Sequence, residues 1–315
     1  MRISLYTTAG SKTKRKLTTI MVRRIFPGWL AVVLLALTWD AALSRADATS
    51  GPQGPEQGAL RRQLWLIAFP AANIEMRTLV FRPAGPGPFP LAVINHGSTQ
   101  NPEVRASLPM EEFEALTAWF VRHGYAVAIP ERPGHGRTGG PYLEDQNGCE
   151  DADYRGAGLA TAASIQVAIA YLRAQPFVRK NGIIVVGQSA GGWGALALAS
   201  LNTTGVRAVI NFGGGRGGHS YDRSNNNCAP ERLIAALQEF GATARVPTLW
   251  IYTENDSYFP PSLSKRMAEA FGLAGGIVEY HLLPPFGNEG HLLAESRNTA
   301  GIWGPTLEAY LARLR

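Results

Sequence analysis

The chain has 315 residues, with 30 Lys and Arg against 24 Asp and Glu and a formal net charge of +6. The excess sits at the start: residues 1–48 hold eight basic and two acidic side chains, which leaves 22 of each sign in the remainder. A balanced remainder has no basic stripe to follow a phosphate backbone, so recognition of nucleic acid by charge is excluded, and its length suits one α/β domain with a sizeable core.

The first segment reads as a secretory signal peptide. Lys12, Lys14, Arg15, Lys16, Arg23 and Arg24 precede the apolar run Trp29–Leu37, and Ala46-Asp47-Ala48 offers a small-residue cleavage pattern. The run falls short of the roughly 20 residues that span a bilayer, and Asp40 ends it. Cleavage near Ala48, a secreted or periplasmic location and no lasting membrane anchor are therefore expected. Residues 49–60, rich in Gly, Pro and Gln, read as a flexible leader. One folded domain is expected over 61–315.

Within that domain, apolar and β-branched runs alternate with helix-period segments. Strands are expected over 64–69, 78–81, 91–95, 125–130, 183–186, 206–212, 248–252 and 277–283. Helices are expected over 110–122, 157–174, 192–199, 231–240, 262–271 and 302–314. This alternation implies a mainly parallel sheet covered on both faces, with any site beyond the carboxyl ends of the strands. The two cysteines, Cys149 and Cys228, are expected to pair in an exported chain. Neither has a Cys or His at ligand spacing, so no metal site is expected. Gly134–Gly139 and Gly213–Gly218 imitate a dinucleotide fingerprint. Neither opens a helix, so no pyrophosphate site and no organic cofactor are expected.

Gly187-Gln188-Ser189-Ala190-Gly191 carries the chemistry. It lies between an apolar strand and a helix, the context of a nucleophile elbow, where a tight turn holds a serine oxygen out at the tip. A serine hydroxyl needs a base to take its proton and an acid to orient that base. Of six histidines, only His281 and His291 follow the elbow late enough in the chain. His281 falls inside a strand, whereas His291 falls in a loop after the last strand, so His291 is the expected base. Asp256 is the expected acid, with Glu254 in reserve, in the loop after the strand containing Trp250. An oxyanion needs donors. The amide of Ala190 is one, and the amide of Ser98 in His96-Gly97-Ser98 is the expected second, with Thr99 next. His96 is then structural. Glu131–Arg137 is expected to be a glycine-proline turn with a satisfied histidine, His135; the other reading is that it borders the pocket and His135 touches substrate.

The ordered set His96-Gly97-Ser98, Gly187–Gly192, Asp256 and Gly290-His291 resembles the α/β-hydrolase superfamily, and most of all its dienelactone hydrolase-like and prolyl-oligopeptidase-like branch. The resemblance covers nearly all of the chain after residue 48. It implies the α/β-hydrolase fold and a Ser-His-Asp hydrolase acting on a small-molecule ester. Dienelactone hydrolase proper uses a cysteine nucleophile, from which Ser189 departs, and the propeller of prolyl oligopeptidases has no counterpart here. The expected function is a secreted or periplasmic serine esterase. The other readings are a peptidase or amidase with the same triad, and a catalytically silent binding protein of the same fold.

Overall fold

A computed structural model describes residues 50–314. The expected signal peptide lies outside them. The chain opens with β1 (Gly51–Gln57), β2 (Arg62–Phe69) and β3 (Ile74–Phe81), which pair antiparallel. β3 then pairs antiparallel with β5 (Ala126–Pro130). From there β4 (Leu91–Asn95), β6 (Ile183–Gln188), β7 (Val206–Phe212), β8 (Thr248–Thr253) and β9 (Val278–Leu283) are parallel. The nine strands form one sheet in the order β1-β2-β3-β5-β4-β6-β7-β8-β9.

The β-branched runs make this sheet because both faces are covered. Leu91 and Val93 of β4 point into a core built with α3 (Tyr154–Arg173), α4 (Ala190–Ser200), α5 (Pro230–Thr243) and α6 (Pro261–Leu273). Ala92 and Ile94, one residue out of phase, join the opposite core with α2 (Glu114–Arg122) and α7 (Ala300–Arg313). α4 is buried at every residue from Ala190 to Ala199, which explains why it is apolar all round rather than amphipathic.

Strand register positions the site. Asn95 lies opposite Gly187, Gln188 opposite Phe212, Phe212 opposite Ile251 and Thr253 opposite Leu283. The carboxyl ends of β4, β6, β7, β8 and β9 therefore lie in a row, and the loops that leave them share one edge.

Two expectations change, and one short helix is added. Residues 51–57, expected within a flexible leader, form an edge strand: Gly51 is buried opposite Leu66, and Ser50 Oγ accepts from Ala68 N at 3.2 Å. Prolines 52 and 55 are tolerated because an edge strand leaves one row of amides unpaired. The helix expected from Met110 begins at Glu114, after Phe113 takes a left-handed φ of 44°. Residues 108–111 are thereby released to line a cavity. A short helix, α1 (Pro102–Ser107), precedes them, with Asn101 Oδ1 accepting from Glu103 N and Val104 N. No helix among the described residues is long and apolar enough to cross a membrane.

Candidate active site

The G-x-S-x-G turn has the conformation that its residues demand. β6 ends at Gln188 and α4 begins at Ala190, leaving Ser189 between them at φ 53° and ψ −123°. Such a conformation costs a non-glycine residue about 1–3 kcal/mol and persists only where the surroundings impose it. Ser189 N donates to Phe212 O at 3.1 Å, and Ser189 O accepts from Trp193 N at 2.9 Å and Gly215 N at 3.1 Å. The flanking glycines are required by space: a Cβ on Gly187 would meet Gly191 O at 2.3 Å, and one on Gly191 would meet Asn95 O at 2.2 Å.

The structure brings Asp256 and His291 together from the ends of β8 and β9. His291 Nδ1 lies 3.1 Å from Asp256 Oδ2, and both side chains are buried. Asp256 Oδ1 accepts from Tyr258 N and Phe259 N, each at 2.9 Å. One carboxylate oxygen is thus fixed by two amides while the other faces the imidazole. The His291 backbone is set by Glu289, whose Oε1 accepts from His291 N at 3.0 Å and from Ser257 N at 3.1 Å. The Tyr258 ring stacks on the imidazole at 4.3 Å and Gln188 Nε2 donates to His291 O at 3.3 Å, which fixes the ring plane. Gly213 closes the far side at φ 51°, where a Cβ would lie 3.0 Å from both Asp256 Oδ2 and His291 Nδ1. That contact accounts for the start of the second glycine run. Glu254, the reserve acid, is exposed. His281 stays in β9 beside Glu279 Oε1 at 2.8 Å, outside this group.

Ser98 and Ser189 border one cavity of about 220 Å³, together with His291. The Ser98 side chain is held by a chain of hydrogen bonds. His135 Nδ1 donates to the carbonyls of Arg132 and Pro133, so Nε2 is the acceptor, and Ser98 Oγ–H donates to it at 2.8 Å. Burial and the Arg132 guanidinium pull His135 down to about 4, which keeps that tautomer neutral. The Tyr142 hydroxyl lies 3.2 Å from Ser98 Oγ and accepts from Arg216 Nη1 at 3.2 Å. His96 is structural, as its place in the turn implies: it donates from Nδ1 to Gly97 O at 2.7 Å and accepts Arg132 N at Nε2 at 3.2 Å.

Behind this loop lies a buried ionic triad that the sequence reading missed. Glu144 accepts from Arg132 Nε at Oε1 and from Arg216 Nη2 at Oε2, the latter at 2.5 Å, with all three side chains buried. Burial alone would raise the Glu144 pKa, but the two guanidiniums hold it well below the carboxylate range. Arg132 Nη1 also donates to His96 O at 2.8 Å, and Arg216 Nη2 to Thr161 Oγ1 at 3.0 Å. The triad ties the loops after β4, β5 and β7 to α3. The available sequence signal was a lone arginine, Arg216, inside a glycine run.

Ser98, Ser189 and Ala190 also border a larger cleft of about 500 Å³ on the other side of the serine. Its rim carries the Cys149–Cys228 disulfide, Cα–Cα 5.1 Å, which joins the loops after β5 and β7. Among the described residues no group of three or more His, Cys, Asp or Glu is placed to hold a metal ion.

Comparison with known proteins agrees on the family. The model of the dienelactone hydrolase family matches residues 76–297, more than half of the chain. No curated protein matches the sequence. Among solved structures, the chain is similar to an acetyl xylan esterase from Paenibacillus sp. R4, with 18% identity over 91% of this chain and 96% of that one, TM-score 0.57. It is similar to the esterase Pf2001 from Pyrococcus furiosus, with 13% identity over 84% and 97%, TM-score 0.55. It also resembles a puromycin-hydrolyzing peptidase from Mycobacterium tuberculosis, with 18% identity over 82% of this chain but 40% of that one, TM-score 0.57. At these identities the likeness shows the α/β-hydrolase fold.

Proposed function

The chain belongs to the dienelactone hydrolase family, and from that premise we propose that it is a serine carboxylic ester hydrolase working through Ser189, His291 and Asp256. In this reading His291 keeps its proton on Nδ1, donated to Asp256 Oδ2, so that Nε2 is free to act as the base. Ser189 Oγ attacks the ester carbonyl as Nε2 takes its proton. The Ser98 and Ala190 amides stabilise the oxyanion. His291 returns the proton to the leaving oxygen, the C–O bond breaks, and an acyl-serine remains. Water, deprotonated by the same nitrogen, then releases the acid. No step draws on a metal or an organic cofactor.

The observation that carries the reading is the buried His291–Asp256 pair at 3.1 Å beside a cavity that both His291 and Ser189 line. A carboxylate with one oxygen already held by two amides has its other oxygen oriented toward the imidazole. The test is labelling by a fluorophosphonate probe, with the modified peptide identified by mass spectrometry. Ser189 should be the labelled residue, and Ser189→Ala should abolish both labelling and hydrolysis of nitrophenyl acetate. Full hydrolysis by the alanine variant would end the proposal. We further propose secretion or export to the periplasm, which the N-terminal charge and apolar pattern and the disulfide support. Sequencing the N-terminus of the exported protein should find a start near Thr49.

A further inference from the structure

Two hollows meet at Ser189, and they are not equivalent. Both are bordered by Ser98 and Ser189, but of the two only the 220 Å³ cavity is also bordered by His291. If the proposed function holds, His291 must hand its proton to the leaving oxygen, and a proton transfer needs hydrogen-bond reach. The leaving group must therefore sit on the His291 side, in the smaller cavity, and the acyl group in the cleft beyond Ala190.

The walls of the leaving-group cavity are apolar at Val104, Leu108, Met110 and Leu292, with two carboxyl groups, Glu111 and Glu295, set among them. These two differ from the other buried or half-buried carboxylates around the site. Glu131 accepts from Thr138 N, Glu144 from two arginines, Asp256 from two amides, and Glu289 from Ser257 and His291. Among the described residues the carboxyl group of neither Glu111 nor Glu295 has a hydrogen-bond or ion-pair partner. Both sense the lack: burial raises Glu111, and burial together with the charge of Glu111 pushes Glu295 up to about 7. Half-buried carboxylates without partners are costly. A positive charge delivered into the cavity would satisfy both at once, and the apolar walls would suit an alkylated one.

We propose that the preferred substrates are esters whose leaving alcohol carries an alkylammonium group, seated between Glu111 and Glu295. Attack by Ser189 Oγ forms the acyl-serine bond, the bond from the carbonyl carbon to the leaving oxygen breaks, and that oxygen departs with the proton from His291 as a cationic amino alcohol. Glu111 and Glu295 are specificity determinants that stay outside the bond-making steps.

The test holds the acyl group constant and changes only the charge of the leaving group. The exported, disulfide-bonded chain is given acetylthiocholine or its neutral isostere 3,3-dimethylbutyl thioacetate at pH 8, and the released thiol is read with a disulfide dye. The expected result is a kcat/KM at least tenfold higher for the cationic ester, with the ratio collapsing to within twofold of one in Glu111→Gln/Glu295→Gln. In the wild type, choline should inhibit hydrolysis of nitrophenyl acetate at tenfold lower concentration than 3,3-dimethylbutanol, a readout independent of how the variant folds. Equal rates on the two thioesters, a preference that survives in the double variant, or equal inhibition by the two alcohols would overturn the inference while leaving the ester hydrolase standing. Wild-type protein that neither reacts with a fluorophosphonate nor hydrolyses nitrophenyl acetate would overturn the ester-hydrolase reading, and this inference with it.

Discussion

Replacing Glu144 by glutamine removes the one negative charge between two buried guanidiniums. Arg132 and Glu144 are 0% exposed at their side chains and Arg216 is 2% exposed, so neither arginine can turn to water for compensation. Breaking a buried ion pair by removing one partner costs about 3–5 kcal/mol, because a charge is left uncompensated in a poorly polarisable interior. For a domain of this size each kcal/mol lowers Tm by about 2–4 °C, so the variant should melt about 6–20 °C below wild type at pH 7. The difference must depend on pH with a definite sign. The fold holds the Glu144 carboxyl below its ordinary range, so its contribution is complete above the unfolded value of about 4.3 and drains away as pH falls toward the folded value. Differential scanning calorimetry of the two proteins from pH 7 down to pH 3 should show the gap closing below about pH 4. A gap under about 2 °C at pH 7, or one unchanged in acid, would refute the role given to this triad. At 20 °C, where the variant is still folded, ester turnover should drop by up to about 10²–10³-fold, the effect of losing one oxyanion donor, because Arg132 holds His96 O and Arg216 holds Tyr142 beside Ser98.

Asp256→Asn should lower kcat at pH 7 by about 10⁴-fold with little change in Tm, since the amide carbonyl can still accept from Tyr258 and Phe259 while the imidazole loses its orienting charge; Glu254→Gln in the same nitrophenyl acetate assay should change kcat less than about twofold, because Glu254 is exposed. Gly213→Ala adds a methyl 3.0 Å from Asp256 Oδ2 and His291 Nδ1 at a φ of 51°. It should cost about 1 kcal/mol in chemical denaturation and lower kcat by more than tenfold through displacement of the pair. Reducing the Cys149–Cys228 bridge, which spans a sequence separation of 79, should destabilise the domain by about 4 kcal/mol, read as a fall in Tm on adding dithiothreitol to the wild type but not to a Cys149→Ser/Cys228→Ser variant.

The sequence reading reached the sheet and the pair Asp256 and His291 because those features are written locally. A β-branched run such as Ile183–Val186 has one stable home, between two layers of helix, and Ser189 between glycines at the end of that run has one plausible turn. The order Ser, Asp, His adds a constraint that eliminates most other candidates. What stayed hidden depends on loop paths. Arg132, Glu144 and Arg216 are separated by 12 and 72 positions, and nothing within any one of their segments marks it as a partner of the others. Tyr258 shares that difficulty, since it stacks on His291 where two loops cross, and so does the part of Glu289 that accepts from Ser257. The edge strand β1 was missed for a different reason. Its pairing with β2 needs no side-chain pattern, so a stretch of Gly, Pro and Gln fills it and resembles a tether.

The distribution of buried charge shows what this fold gives up stability for. Among the described residues, the buried His, Arg, Asp and Glu side chains are His96, Arg105, Glu131, Arg132, His135, Glu144, Arg216, Asp256 and His291. Each lies in a segment that leaves the carboxyl end of β4, β5, β7, β8 or β9, and none lies within a strand or in the helices that pack on the sheet faces. A fold selected for stability alone would do as well with apolar residues at several of these positions, since buried ion pairs are often neutral or unfavourable against well-packed hydrophobic replacements. Their concentration on one edge has a purpose that stability does not explain. They fix the Ser98 loop, the imidazole and the strained serine relative to one another without borrowing flexible surface side chains. Preorganised dipoles of that kind are the largest single source of rate acceleration in acyl transfer. The same reasoning makes Glu111 and Glu295 stand out, as half-buried carboxyls on this edge that have no side-chain partner among the described residues.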